Sequence, residues 1–294
     1  MTQLANNTPE VRETLRLFCE AHAFCVALSE EIPGVLGRVP SHAALTEAQK
    51  TVHMLVERAA VWMQSLAMLP RATDYQAHAS ACRAMLEIAV DVALVTSEPA
   101  LVERMWAWEE SAKLKSCKRY SAYALKAQTP NPDQRKLSFI AKNEQTVKDL
   151  RKKHWGSEGH PRTWFGKPFE QVTAEADQRA NASRLPGHAA SNYEETYAKN
   201  YDELCWGTHG SSLSMIRQIA TPDFLTAVSA RALGESSRLA LDLTERAATF
   251  LGLDGEAICN ELFTKMQALQ ERYRLRLLAE IGSGGEGIPR PDRA

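Results

Sequence analysis

Residues 84–95 read Ala-Met-Leu-Glu-Ile-Ala-Val-Asp-Val-Ala-Leu-Val, and Glu87 and Asp91 are the only polar side chains in the run. Arg83 precedes Glu87 by four residues and Asp91 follows it by four, so a helix sets all three on one face. A helix this apolar nearly all round is a buried one. Its charges then form either a thin solvated stripe or a paired cluster in the core, because a lone buried carboxylate is too costly to keep. The stretch points to an all-α fold built around this segment, and it marks Arg83, Glu87 and Asp91 as the first place to look for a site.

Outward from it, the 3.6-residue period dominates and no alternating strand pattern stands out. Thr8 and Pro9 open a first helix to about Glu31, and residues 32–40, with Gly34, Gly37 and two Pro, read as a loop. Thr46 and Gln49 make a capping-box pattern for a second helix ending near Pro70. A third helix covers about 73–96, an aromatic and Lys-rich fourth about 99–128, and a basic fifth 133–154. Residues 155–167 form the longest non-periodic stretch and are rich in Trp and Phe, the composition of a loop pinned to a core or a ligand. A short helix over 168–179 follows. Ser191 and Glu194 give a second capping-box pattern for a helix carrying Tyr193, Tyr197, Tyr201, Cys205 and His209. Two long helices, about 223–251 and 254–281, complete a multi-helix bundle of eight to nine helices without significant sheet. The expected division is 1–42 as an N-terminal helix and loop, 43–281 as the main helical bundle, and 282–294 as a disordered tail.

The chain of 294 residues is 44% hydrophobic and 24% charged, an ordinary globular composition. No apolar stretch reaches the length of a membrane span and no signal peptide is legible, so the expectation is a soluble cytoplasmic protein. Six scattered cysteines without a CxxC pair suggest buried thiols rather than a zinc site or a disulfide framework. Net charge is −1, yet residues 113–153 hold twelve Lys and Arg against Asp133, Glu144 and Asp149. Such a segment is either a solvated helical face or a surface for phosphates.

The Arg83…Glu87…Asp91 pattern, the Trp106/Trp108-Glu-Glu helix, the Trp164-Phe-Gly-Lys loop and the Tyr193…Tyr197…Tyr201…Thr208-His209-Gly-Ser block together resemble the bacterial helical family catalogued as domain of unknown function 5677. The resemblance spans about residues 43–217. It implies an all-helical fold and a shared polar region made of Arg83, Glu87, Asp91, Tyr201 and His209. Cys205-Trp206 stands where that pattern would carry Ser, which puts a role for a hydroxyl there in doubt.

Two functional readings are open. One is a non-catalytic binding or regulatory module, able to oligomerise through its long terminal helices, with the Arg83 cluster as a structural charge network. The other is a helical phosphodiesterase acting on RNA or nucleotide, in which Arg83, Glu87, Asp91 and His209 do acid–base and phosphate work. Tyr197, Tyr201, Trp164, Lys118 and Arg119 are the binding candidates, with RNA or a protein as partner. Small helical ribonucleases of the HEPN type carry a spaced Arg and His, and Arg71…His78 is one formal match; that analogy alone would extend to phage defence. No metal site is expected, although Glu87 and Asp91 offer oxygen ligands that Mg or Mn would favour. Neither a P-loop nor a dinucleotide glycine fingerprint is present.

Overall fold

A computed structural model of the chain describes residues 9–182, 190–201 and 222–282; all regular structure among them is helical, with no strand. The α-helices are α1 (Pro9–Leu36), α2 (Glu47–Ala67), α3 (Tyr75–Ser97), α4 (Leu101–Lys126), α5 (Gln134–Trp155), α6 (Phe169–Ala182), α7 (Tyr193–Thr196), α8 (Pro222–Phe250) and α9 (Gly255–Gly282). A π-helical turn, Tyr197–Tyr201, follows α7. No helix among the described residues is long and apolar enough to cross a membrane.

The chain divides into two compact units, Met1–Ser97 with Ala176–Ala294, and Glu98–Glu175. In the first, α1, α2, α3 and α8 pack on one another and α9 lies against α1 and α8. Helix α3 is its most buried element: every residue from Met85 to Val95 is buried except Glu87 and Asp91. The capping box expected at α2 is present, with Thr46 Oγ1 accepting from Gln49 N at 3.3 Å and Gln49 Oε1 accepting from Thr46 N at 3.0 Å. Helix α1 does not stop near Glu31. It runs through Pro33 to Leu36, because Ile32 and Val35 are buried in the bundle and their burial outweighs the hydrogen bond that proline removes.

The second unit is built on α4 and α5, which run antiparallel, tied by Lys118–Glu144 (2.6 Å) and by a Lys153–Glu103 ion pair. Asp133 caps α5, accepting from Arg135 N at 2.9 Å, and Gly156 ends it at φ +65°. The aromatic loop that follows is pinned as its composition suggested. Trp155 Nε1 donates to Trp164 O at 3.1 Å, and the Trp164 and Phe165 rings meet edge to face at 5.3 Å. The Arg104 guanidinium lies 5.6 Å from the Trp155 ring and 5.4 Å from the Phe165 ring. Gly166, at φ +80°, makes room for this: a Cβ there would stand 2.7 Å from Trp155 Cδ1 and 2.9 Å from Arg104 Nη2.

Candidate functional site

The polar stripe of α3 sits at the surface of its unit. Arg83 Nε bonds Glu87 Oε1 at 3.1 Å, with side chains 31% and 43% exposed. The π-helical turn lays Tyr201 over this pair: its hydroxyl donates to Glu87 Oε1 at 3.3 Å, and Arg83 Cζ stands 5.1 Å from its ring centroid. Tyr197 packs on Tyr201 with centroids 4.6 Å apart, and Asp91 is half-buried one turn further along α3. Arg83, Glu87 and Tyr201 therefore meet at one place on the surface of the unit. Their geometry is that of a clasp holding the turn to α3. His209 and Cys205 lie outside the described residues. Because the ion pair is solvated, Glu87→Ala should cost under about 1 kcal/mol in urea unfolding; a loss of several times that would show the clasp to be a principal support of the unit.

The Arg71…His78 pair is not arranged for catalysis at a phosphate. His78 is fully buried in the bundle, its Nε2 3.0 Å from Leu69 O, and burial holds its pKa below the ordinary imidazole range. Arg71 is exposed before α3 and pairs with Asp74 at 3.3 Å. The spacing match is thus a core histidine and a surface arginine.

A denser polar cluster, absent from the sequence reading, lies where residues 176–182 of α6, α7 and α8 meet. Ser191 does not form the expected local cap with Glu194. The free N–H groups at the start of α7 go instead to Asp177 of α6, with Tyr193 N and Glu194 N each 2.8 Å from a carboxylate oxygen. Ser191 is held elsewhere: its N–H donates to Asn181 Oδ1 at 2.9 Å and its hydroxyl accepts from Arg246. Arg246 also bonds Asp242 at 3.1 Å, and Asp242 accepts the hydroxyl of the fully buried Tyr193. Burial first, then the Asp242 carboxylate, push the Tyr193 phenol far above its usual value. Burial likewise raises Asp177, against the two backbone N–H groups that pull it down. Tyr193 is therefore a core residue, whereas Tyr197 and Tyr201 of the same sequence stripe are only half-buried.

In the Glu98–Glu175 unit, fifteen Lys and Arg face ten Asp and Glu. Lys118, one of the predicted contacts, is engaged with Glu144, which also holds Lys148 at 3.1 Å. Arg119 is exposed. Among the described residues no carboxylate stands within 4.0 Å of Lys115, Arg119, Lys126, Arg135, Lys142 or Lys152, which leaves a band of uncompensated positive charge on α4 and α5. Aromatic rings lie beneath other lysines: Lys113 Nζ is 4.4 Å from the Phe139 centroid and Lys136 Nζ 4.2 Å from that of Tyr120, while Tyr123 is 66% exposed. Trp164, by contrast, is buried and presents no free face for stacking. Inside the same unit Arg151 is buried, bonded to Ser111 and to the Glu158 carbonyl. His160 touches that Ser111 hydroxyl and stacks on Trp108.

No group of three or more His, Cys, Asp or Glu among the described residues is placed to hold a metal ion. Cys25 and Cys82 are fully buried thiols pushed up to about 12 by burial, so they offer neither a thiolate nucleophile nor a soft metal ligand. No curated protein and no solved structure matches the chain. Residues 49–224, from the first turn of α2 to the start of α8, match the pattern of a family described as a family of unknown function, DUF5677. The matched region takes in the α3 stripe, the α4–α5 unit and, of the polar cluster, Asp177, Asn181, Ser191 and Tyr193, while Asp242 and Arg246 lie beyond it; the chain belongs to that family.

Proposed function

We propose that the chain is a non-catalytic helical binding module that takes hold of RNA through the Glu98–Glu175 unit. The observation that carries this reading is the band of lysines and arginines on α4 and α5 without carboxylate partners, accompanied by the exposed Tyr123. Uncompensated cations attract a phosphate backbone, and the exposed Tyr123 ring beside them suits an unstacked base. The α3 stripe supports a module over an enzyme, since Arg83, Glu87 and Tyr201 are engaged with one another in a surface clasp.

Fluorescence anisotropy of a labelled mixed-sequence RNA across a salt series is the test. Binding should weaken as salt rises, with each neutralised phosphate contributing about 0.7 to the log–log slope. Lys126→Glu/Lys142→Glu, two exposed substitutions, should lower affinity at least about tenfold and flatten the slope. The RNA should be recovered intact with or without Mg or Mn. Cleavage that disappears in a folded Glu87→Ala/His209→Ala variant would replace this reading with the phosphodiesterase. Absence of any RNA binding would overturn it in favour of a protein-binding module.

A further inference from the structure

Arg151 is 9% exposed, and all its bonds run to neutral oxygens: Nε to Ser111 Oγ (2.7 Å), Nη2 to Ser111 O (3.2 Å) and Nη1 to Glu158 O (2.9 Å). Among the described residues no carboxylate lies within 4.0 Å of it; Glu144 acts on it from further away and is itself held by Lys118 and Lys148. A guanidinium has five N–H donors, so one hydrogen on each Nη is left over. Burying such a cation without a counter-charge is costly, and folds normally bring the carboxylate along. Here the surroundings add more positive charge instead. Lys115 and Arg119 follow Ser111 by four and eight residues on α4, which places them on the same face, and both are exposed. His160 Nδ1 is 2.7 Å from Ser111 Oγ, and its ring stacks on Trp108 with centroids 5.8 Å apart. Burial, then Lys115, Arg151 and Arg119, hold the His160 imidazole below its ordinary pKa.

We infer that Lys115, Arg119, Arg151 and His160 form a site for a phosphate monoester, the terminal phosphate of an RNA strand lying along α4 and α5. The inference rests on the RNA reading above for the source of the phosphate. The chemistry is that of a dianion. Two flexible or forked cations at the rim, a fixed guanidinium with spare donors behind them, and an imidazole that gains a proton when negative charge arrives are complementary to a terminal phosphate. An internal phosphodiester carries one charge and would leave part of this cluster unbalanced.

The full chain is titrated by NMR, following the His160 Cε1–H resonance against pH with and without inorganic phosphate. In parallel, anisotropy compares one RNA sequence bearing a 5′-phosphate, a 3′-phosphate, or hydroxyls at both ends. Phosphate should move the His160 midpoint upward, and a phosphate-ended strand should bind about tenfold more tightly than the hydroxyl-ended one. Lys115→Gln/Arg119→Gln, exposed positions whose replacement leaves the packing intact, should abolish both effects. A His160 midpoint indifferent to phosphate, with strand ends indistinguishable, overturns the site even if the RNA binds. A phosphate-dependent His160 shift with no RNA binding upholds the site, assigns it to free phosphate or a small phosphomonoester, and overturns the RNA reading.

Discussion

Asp242→Ala should destabilise the Met1–Ser97 and Ala176–Ala294 unit by about 3 kcal/mol in urea unfolding, the largest loss expected from any single polar substitution in this chain. The Asp242 carboxylate satisfies two groups at once. It accepts the hydroxyl of Tyr193, which is fully buried, and it pairs with Arg246 at 3.1 Å, with both charged side chains about one-fifth exposed. Burial pulls the Arg246 guanidinium down, and Asp242 and Tyr193 outweigh it, leaving its pKa raised. Removing Asp242 therefore strands a phenol and a guanidinium together, and leaving a buried charge without its partner costs more than the pair gains when intact. Arg246 keeps Ser191 and the Ala180 carbonyl, which places the loss toward the lower end of the usual range for a broken buried pair. Adding Arg246→Met to Asp242→Ala should recover part of the loss, because the stranded charge is then gone. A single-variant loss below about 1 kcal/mol would mean that water satisfies both groups.

What could be read from the sequence follows how local each cause is. Thr46 and Gln49 are three residues apart and cap α2 with their own atoms, so the pattern is visible in the chain. The Ser191–Glu194 pattern has the same form and fails, because the carboxylate that caps α7 is Asp177, brought there by the packing of α6. The extra turn of α1 past Pro33 depends on where Ile32 and Val35 are buried, which local propensity does not carry. The period-four tyrosines look equivalent, yet a change from α- to π-helical winding separates Tyr193 in the core from Tyr197 and Tyr201 at the surface. At the site level, Arg83 and Glu87 were legible because both lie on one helix. Ser111 and Arg151 were not, being forty residues apart on antiparallel partners. The Arg71…His78 spacing carries no site for a related reason: period says which face of α3 a histidine occupies, and only packing says that the face is the interior.

Two buried histidines, His22 and His78, set the second large expectation, a steep loss of stability in mild acid. His22 of α1 is 3% exposed, and its Nε2 has no hydrogen-bond partner among the described residues; the same holds for Nδ1 of the fully buried His78. Phe18 stands between them, 6.3 Å from the His22 ring and 6.1 Å from that of His78. Burial, with His78 adding to it, lowers the His22 pKa to about 4, against the backbone of Ala67 and Leu66, which pulls the other way. His78 is lowered by burial too, opposed by the Leu69 carbonyl and by Asp74. Each histidine is thus a base that the unfolded chain protonates near pH 6.5 and the folded chain protonates only at lower pH. Above pH 6.5 neither state takes the proton and the fold keeps its full stability; as pH falls from 6.5 toward 4, the unfolded state alone binds it. For His22 this amounts to about 3 kcal/mol over that window, and His78 adds to it in the same direction. Urea midpoints measured at steps from pH 7 to pH 4.5 should fall progressively. His22→Leu, which fills the same apolar site without a titrating group, should flatten the profile relative to wild type, while acid-linked losses from carboxylates remain in both. A wild-type profile parallel to that of His22→Leu would place the His22 proton within reach of water in the folded bundle.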